Sequence, residues 1–327
     1  MNLEDMFTTA TMTSAINKLP PMPTRVGELG IFEEEGISTT SVVVESRDGR
    51  LFLVPNTNRN DDPTPMKDPK RKRRTFETCH LPTSGQLLPA DLQNFKPFGE
   101  NDEANYQAQM INNKLQIMKN SLEATREFQR AGALRGRILD ADGSLIYDLY
   151  KEFEVAKKSI LVPLSVEATD VRKHLMDAKR HSESKLTGAL VTGYKAFCGS
   201  EWFDAFVAHP NVQKAYANYQ EAADRLGGDM RKGFTFGGIE FEEYNATISN
   251  QAFFPANIAQ VFPIAKGGVY KMFNAPANYN ETVNTIGLPV YAKAEKRKMG
   301  KGWDLEAQSN PLAICTYPEA LVELKLG

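Results

Sequence analysis

The sequence of 327 residues predicts an α+β fold. One observation is a long stretch near residues 102–131 in which apolar residues recur at helical spacing. A second is a pair of Asp-Gly dipeptides, each between two apolar or β-branched runs, which is the pattern of a β-hairpin. A third is the end of the chain, where the runs Pro311–Tyr317 and Ala320–Leu326 are typical of strands.

The overall composition is that of a folded, soluble protein. Apolar residues make up 41% of the chain and charged residues 24%, with a mean hydropathy of −0.42. The 39 basic and 41 acidic residues leave a net charge of −2, which argues against nucleic-acid binding through overall charge. No apolar run approaches the roughly 18 residues of a membrane helix, and the acidic start differs from a signal peptide, so we expect an intracellular chain with no membrane partner. Its three cysteines lack CxxC spacing, which indicates reduced thiols.

The first 80 residues predict an arm and then a hairpin. Residues 1–30 contain three closely spaced prolines and no sustained period, so we expect an extended arm that needs a surface to lie on. Ser41–Val54 predicts a hairpin that turns at Asp48-Gly49, with Arg47 and Arg50 on either side of the turn.

A polar stretch after Pro55 has too few apolar residues to fold alone, and it predicts an exposed loop. Lys67 to Arg74 contains six basic residues and one acid, a local charge of +5 that suits contact with phosphates or with an acidic surface. A solvated loop is an equally good interpretation. The same two interpretations apply to Lys293–Lys301, where five basic residues and one acid give +4.

The long helix is expected from about Asp102 to Ala131. Asp102 is a suitable N-cap, Gly132 is placed to end the helix, and about 30 residues give a length of roughly 45 Å. Its apolar stripe consists of Ala104, Ala108, Ile111, Leu115, Met118 and Leu122.

A second hairpin is expected over Leu134–Leu149, with its turn at Asp142-Gly143. The glycine follows that aspartate directly and no run of acidic ligands comes after it, which argues against a calcium loop.

The middle third predicts helices over Asp170–Leu190 and Trp202–Leu226, the second divided by Pro210. Gly233–Tyr244 then predicts two short strands with a kink at Gly237-Gly238.

The motifs of common catalytic and cofactor sites are absent from the sequence. It lacks the GxxxxGK[ST] and GxGxxG nucleotide loops, the HExxH zinc motif and the GxSxG elbow. His174 and His181 are seven residues apart and are interpreted as surface histidines, and Cys198 as a buried thiol rather than a nucleophile paired with His209. We therefore expect no catalytic residues, no cofactor and no metal, although an enzyme with a site built from scattered residues stays an alternative.

The order of these elements resembles the lambda-like capsid protein E family, the major capsid proteins of tailed phages. The most specific stretches are Ala131–Phe153, Ala265–Lys271 and Asn310–Leu326, and the similarity runs from about Ile31 to the end. The resemblance implies the Hong Kong 97-type capsid fold. The expected divisions are an N-terminal arm (1–30), an extended loop with hairpin (31–80), a peripheral domain with spine helix (81–165), a mainly axial domain (166–260) and remaining axial or peripheral strands (261–327).

The implied function is self-assembly into the icosahedral shell of a phage head around double-stranded DNA. Expected partners are copies of the chain in hexamers and pentamers, a scaffolding protein, a portal, a decoration protein and non-specifically bound packaged DNA. The expected location is the virion, with assembly in the cytoplasm of the bacterial host. Alternatives are the shell of a cellular nanocompartment and a nucleic-acid-binding protein that uses Lys70–Arg74.

Contacts between subunits are expected to use the hairpin edge and the two oppositely charged segments. The hypothesis pairs the Lys70–Arg74 cluster with the three consecutive glutamates after Phe32 on an adjacent subunit. Its residues are Glu33, Glu34, Glu35, Arg47, Asp48, Gly49, Arg50, Lys70, Arg71, Lys72, Arg73 and Arg74.

Overall fold

A computed structural model describes residues 8–20, 24–47, 71–93, 103–186, 189–213 and 233–327. The helices are α1 (Thr9–Lys18), α2 (Arg25–Glu28), α3 (Pro89–Leu92), α4 (Glu103–Arg135), α5 (Leu149–Glu152), α6 (Val171–Lys185) and α7 (Ser200–Ala208). The strands are β1 (Glu33–Gly36), β2 (Ser41–Arg47), β3 (Arg71–Glu77), β4 (Leu81–Leu87), β5 (Arg137–Leu139), β6 (Leu145–Asp148), β7 (Lys158–Val162), β8 (Leu190–Cys198), β9 (Phe234–Phe236), β10 (Ile239–Glu243), β11 (Thr247–Ile248), β12 (Gln251–Ala252), β13 (Ile258–Lys266), β14 (Tyr270–Asn274), β15 (Tyr291–Lys296), β16 (Trp303–Ser309), β17 (Pro311–Cys315) and β18 (Val322–Leu326).

The first of two compact units comprises residues 1–42, 75–130 and 271–313. Its antiparallel sheet has the strand order β15-β16-β4, and the inner face of that sheet packs against α1 and α4. A second sheet has the order β1-β14-β17, with β1 parallel to β14. The core between the first sheet and the helices consists of Met12, Ile16, Leu87, Ile111, Leu115, Met118, Leu122, Val290, Ala292, Trp303, Leu305 and Ala307.

The long helix is confirmed as α4, with 33 residues and a length of about 50 Å. From Ile111 to Leu122, the apolar stripe of the helix packs into the core, as predicted. The predicted end at Gly132 is wrong, because the helix continues to Arg135 and Gly136 follows with φ +71°, a conformation that favours glycine. Gly132 instead allows close packing, since a Cβ there would lie 2.7 Å from the carbonyl oxygen of Arg137. The predicted N-cap, Asp102, lies outside the described residues.

The second unit comprises residues 43–74, 131–270 and 314–327. Its six-stranded mixed sheet has the order β7-β18-β13-β8-β10-β9, and residues of α6 and α7 share one core cluster with it. Aromatic rings fill this core: Trp202 is fully buried and stacks on Phe206 and Phe241 at centroid distances of 4.9 and 5.6 Å.

Several predicted elements of the second unit are confirmed with adjusted bounds. Strands β5 and β6 form the hairpin at Asp142-Gly143, where Gly143 has φ +84°. Helix α6 begins after Asp170, whose carboxylate accepts a hydrogen bond from the backbone N–H of Lys173. Strands β9 and β10 meet at the predicted Gly237-Gly238 turn, and β18 matches the last predicted strand. The strand predicted before it is confirmed as β17, in the second sheet of the first unit.

Two predicted helices are shorter than expected. Leu190 begins strand β8 rather than ending a helix, and α7 ends at Ala208, just before Pro210. The rest of the predicted second helix, residues 214–226, lies outside the described residues.

The predicted extended arm is wrong for residues 9–18, which form helix α1. Thr8 caps this helix by accepting a hydrogen bond from the backbone N–H of Thr11, and Met12 and Ile16, four residues apart, are buried in the first core. The Asn17 side chain also donates to the carbonyl oxygen of Val290 at 2.8 Å. The helix therefore forms because it has a surface within its own unit to pack on.

Shortening Ile16 to alanine should lower the free energy of unfolding by about 2–5 kcal/mol, since the side chain is fully buried and its loss leaves a cavity. Chemical denaturation of unassembled subunits measures this change. The exposed Ser14→Ala on the same helix is the control and should change stability by no more than about 0.5 kcal/mol. Equal small effects from both variants would contradict the packing of α1.

Candidate functional site

The three consecutive glutamates lie on strand β1, which pairs in parallel with Lys271–Asn274. Glu34 forms ion pairs within its own chain, at 3.1 Å to Arg126 Nη2 and 2.7 Å to Arg130 Nη2. Two arginines of α4 thus hold the carboxylate of Glu34 within its own chain, and its contact with a neighbouring subunit stays a prediction. Glu33 and Glu35 are exposed, and their contact with a neighbour stays a prediction.

Arg126 is the centre of a buried polar cluster in the first unit. Its side chain is only 2% exposed and donates hydrogen bonds to Asn274 Oδ1 at 2.8 Å and to the carbonyl oxygen of Pro289 at 3.0 Å. Burial lowers the pKa of Arg126, and the charges of Glu34 and Glu123 oppose that effect. Burial alone would raise the pKa of Glu34, but Arg126 and Arg130 reduce it below its usual range.

Glu127 extends this cluster to the N-terminal segment. Its carboxylate is buried, pairs with Arg130 Nη1 at 3.6 Å and accepts hydrogen bonds from the backbone N–H groups of Val26 and Gly27. These N–H groups belong to the first turn of α2, where a helix has no internal acceptors for them. The cluster thus attaches α2 and β1 to α4, and its role is to hold the fold of this unit.

The basic cluster is a strand rather than the predicted loop. Arg71–Arg74 begin β3, which pairs with β2 in a two-stranded sheet, so an extended backbone carries these side chains. Arg73 is exposed, and Arg74 Nη2 lies 2.5 Å from Glu154 Oε1 of the same chain. We call Arg71–Arg74 the basic strand.

The hairpin prediction is confirmed only for its first strand, β2, which ends at Arg47. The sequence predicted that residues 51–54 would pair with β2. Among the described residues, the strand that pairs with β2 is β3. The remaining predicted contact residues lie outside the described residues: Asp48, Gly49, Arg50 and Lys70.

The outer face of the sheet β15-β16-β4 carries a feature that the sequence analysis did not predict. The strand register places Glu295 directly opposite Asp304, and Lys293 directly opposite Glu306. Together with Tyr279 and residues of β4, these side chains line a cavity of about 410 Å³. We call Glu295, Asp304 and Glu306 the acidic face.

Two cations contact carboxylates at or beside the acidic face. Lys293 Nζ is bound by Glu281 at 2.8 Å and lies 5.2 Å from the centre of the Tyr279 ring, while Arg297 Nε is 3.5 Å from Asp304. The hydroxyl of Tyr279 donates to Glu306 at 3.4 Å, and burial together with this carboxylate raises the pKa of Tyr279. Glu281 and Asp304 therefore each have a cation beside them.

The sequence contained one signal for the acidic face. Lys293 and Glu295, and likewise Asp304 and Glu306, alternate with apolar residues at the period of two that is typical of a half-buried strand. The basic run Lys293–Lys301 obscured this alternation and suggested a loop. That prediction is wrong for Lys293–Lys296, which belong to β15.

In the described ranges, no three His, Cys, Asp or Glu side chains are grouped so as to hold a metal ion. Cys198 is buried as predicted, and burial raises the pKa of its thiol well above the usual value. Among the described helices, none has the length and hydropathy that a membrane crossing requires.

Comparisons with known proteins agree along almost the whole chain. The family model described as phage major capsid protein E matches residues 8–326. The major capsid protein of Salmonella phage Felix O1 is 24% identical, over 98% of this chain and 96% of that protein. The major capsid protein of Pseudomonas phage KPP10 is 26% identical, over 99% and 98% of the two chains.

A solved structure shares the fold at low sequence identity. The protein assigned as the capsid protein of a prophage in E. coli CFT073 gives a TM-score of 0.59 at 13% identity, and the match covers 98% of this chain and 99% of that chain.

Proposed function

The chain belongs to the phage major capsid protein E family, and we propose that it is the major capsid protein of a tailed phage, whose copies assemble into the shell of the head. The main support for this proposal is the match of residues 8–326 to one family of shell proteins. The fold is of the Hong Kong 97 type. Membership in a family of structural proteins also supports the proposal that this chain has no catalytic activity.

The two compact units correspond in this proposal to the two domains of the capsid fold. The first unit, with most of α4, is the peripheral domain, and the six-stranded sheet of the second unit is the axial domain. Support comes from the long helix α4, most of which belongs to the first unit, as expected for the domain that carries the spine helix.

Shell formation requires surfaces that suit other copies of the same chain. One such surface in the first unit is the segment after β14, where Val283, Ile286 and Leu288 are 64%, 72% and 44% exposed. This backbone has a defined shape, because Thr285 N–H donates to the carbonyl oxygen of Thr282 and Leu288 N–H to the hydroxyl of Tyr291. Exposed branched apolar side chains on an ordered loop are typical of a contact that becomes buried on assembly.

The remaining partners follow from the shell function. We propose a virion location, with assembly in the host cytoplasm, a scaffolding protein, a portal and a decoration protein as assembly partners, and packaged DNA at the inner surface. Contact of the basic strand with DNA phosphates stays the alternative to contact with another subunit, and it predicts normal shells whose packaging depends on salt.

Electron microscopy of the chain, produced with and without its neighbouring genes, tests the function. We expect closed shells, or rings of five and six subunits, and light scattering should give a matching mass. A uniform monomer or dimer under both conditions would contradict the proposal. Nucleic acid inside shells recovered from host cells distinguishes a phage head from a nanocompartment, which would hold protein cargo.

A further inference from the structure

Helix α6 of the second unit concentrates positive charge on its solvent side. Its 15 residues include five basic and two acidic side chains, a local charge of +3 in a chain whose net charge is −2. The buried residues of the helix lie on one face and are Val171, Leu175, Ala178 and Ser182. The basic residues lie outside that face, and we call them the basic face of α6: Arg172, Lys173, Lys179, Arg180 and Lys185.

The basic residues repeat at an interval of two helical turns. Arg172 and Lys173 are followed seven residues later by Lys179 and Arg180. Seven residues return to almost the same side of an α-helix about 10.5 Å further along its axis. The four side chains therefore form two rows. Lys173 and Arg180 are exposed and make up the row that lies farthest from the buried residues, while Arg172 and Lys179 lie closer to the sheet.

The row closer to the sheet is held by aromatic rings. The guanidinium carbon of Arg172 lies 5.7 Å from the centre of the Phe236 ring, and Lys179 Nζ lies 5.5 Å from the centre of the Tyr194 ring. The absence of a side chain at Gly238 leaves room for the lysine, since a Cβ there would lie 2.9 Å from Lys179 Nζ. An aromatic face attracts a cation without neutralising it, so both charges stay available to an anion.

The acidic residues around the helix do not balance this charge. Asp177 lies 3.5 Å from Arg180 Nη1, but their side chains are 50% and 69% exposed, and such pairs are weak and screened by salt. Lys185 pairs with Glu319 at 3.6 Å. Glu183 is exposed. The basic face thus keeps an excess of positive charge.

Positive charge continues on the other flank of α6. His174 and His181, also seven residues apart, are half-buried there, and each has a ring nitrogen close to a backbone carbonyl oxygen, at 2.9 and 3.1 Å. Burial lowers the pKa of His181, and the nearby charges of Lys158 and Lys185 lower it further. Lys158 belongs to β7, the strand at one edge of the six-stranded sheet. The positive surface therefore extends from the helix to this edge.

The composition of the basic face favours a nucleic-acid backbone over a protein surface. Interfaces between proteins are depleted in lysine and have an apolar or aromatic centre. The basic face has three lysines, and the one apolar side chain of α6 outside the buried face, Met176, is only partly exposed. A DNA duplex offers about one negative charge per 1.7 Å of its axis, which lysine and arginine bind whatever the base sequence.

We propose that the basic face of α6 binds the phosphate backbone of double-stranded DNA inside the shell. This inference rests on the proposed shell function and names the surface at which the protein contacts its packaged DNA. Because the whole chain has a net charge of −2, such a contact requires a local basic surface of this kind. The contact is independent of base sequence and weakens as salt is added, since each bound phosphate releases counterions.

Binding of a short labelled DNA duplex to unassembled full-length subunits tests this surface. At about 50 mM salt, Lys173→Gln/Arg180→Gln should weaken binding by about tenfold, and the slope of log K against log salt should fall in magnitude by about 1.8, because two phosphate contacts are lost. Fluorescence anisotropy over a salt series measures both quantities. Both side chains are exposed and glutamine is a good helix former, so the midpoint of thermal unfolding should not change.

The charge-matched control is Lys151→Gln/Lys266→Gln, which removes two exposed lysines of the second unit outside α6. We expect it to change the affinity for the duplex by less than about twofold. Equal weakening by the two double variants would assign the effect to net charge and overturn the proposal. An unchanged chain that does not bind the duplex at low salt would overturn it as well.

Shells filled with DNA provide a second test. A reconstruction by electron cryo-microscopy should show DNA density in contact with α6, and shells of Lys173→Gln/Arg180→Gln should form in normal yield with that density reduced. A position of α6 on the outside of the shell, or beneath a neighbouring subunit, would contradict the proposal. Loss of shells in this variant with unchanged binding of the duplex would identify a protein as the partner and would likewise contradict it.

Failure of the shell function is a separate result. It would appear as an absence of shells from the unchanged chain, whereas binding of the duplex is measured on unassembled subunits and does not depend on shells.

Discussion

Replacing Arg126 with methionine should destabilise the first unit by about 3 kcal/mol. This value is the low end of the range for breaking a buried ion pair, because the Glu34 side chain is 38% exposed and keeps some access to water. The variant also removes the donor to the buried Asn274 oxygen and to the carbonyl oxygen of Pro289. Denaturant unfolding of unassembled subunits measures the loss.

The pH dependence of unfolding provides a second readout for the same variant. Glu34 has a lowered pKa in the folded state, so its pairing stabilises the chain above about pH 4.5, the usual glutamate value, and that contribution is lost as the pH falls further. The loss of stability below pH 4.5 should be smaller in Arg126→Met than in the unchanged chain. Arg297→Met breaks a partly exposed pair in the same unit and should cost under about 1 kcal/mol. If Arg126→Met and Arg297→Met lowered the free energy of unfolding by similar amounts, the central role of Arg126 would be contradicted.

Replacing Lys195 with methionine should destabilise the second unit by about 3–5 kcal/mol. The lysine side chain is 4% exposed and lies on β8, the strand between β13 and β10 in the six-stranded sheet. Its ammonium group is 2.8 Å from the equally buried Glu242 and 2.6 Å from the half-exposed Glu240. The methionine variant removes the cation and leaves the buried carboxylate of Glu242 without that partner.

A double variant tests whether charge or packing causes this loss. Lys195→Met/Glu242→Met replaces both members of the buried pair with apolar side chains, an exchange that is often neutral or stabilising. Its free energy of unfolding should recover most of the loss of the single variant. A double variant as unstable as the single one would indicate that the lysine stem, rather than the charge, stabilises the sheet.

The elements that the sequence predicted are those whose signals are local. The stripe from Ile111 to Leu122, the Asp142-Gly143 turn and the Asp170 cap each depend on residues within one helix or one hairpin. Helix α1 was missed because only Met12 and Ile16 mark its buried face in a segment rich in threonine and serine. Strand β8 was missed because its second half is buried on both faces and shows no alternation.

The candidate site was predicted least well, because its contacts join distant parts of the chain. Nothing near Glu34 in the sequence indicates that Arg126 and Arg130, more than 90 residues away, bind its carboxylate. The pairing of Glu295 with Asp304 likewise depends on the register of β15 and β16. The basic cluster was found from composition alone, but its strand conformation depends on pairing with β2.

The central position of β16 in the first sheet has a consequence during synthesis. Strand β4 ends at Leu87, yet its partner begins only at Trp303, so the ribosome must add more than 200 residues before the two can pair. At about 5–20 residues per second this interval lasts roughly 10–45 s. Helix α1 likewise cannot pack against β15 until Tyr291–Lys296 has been synthesised. A chain that terminates before Trp303 lacks the strand that joins β15 to β4, so this sheet cannot form.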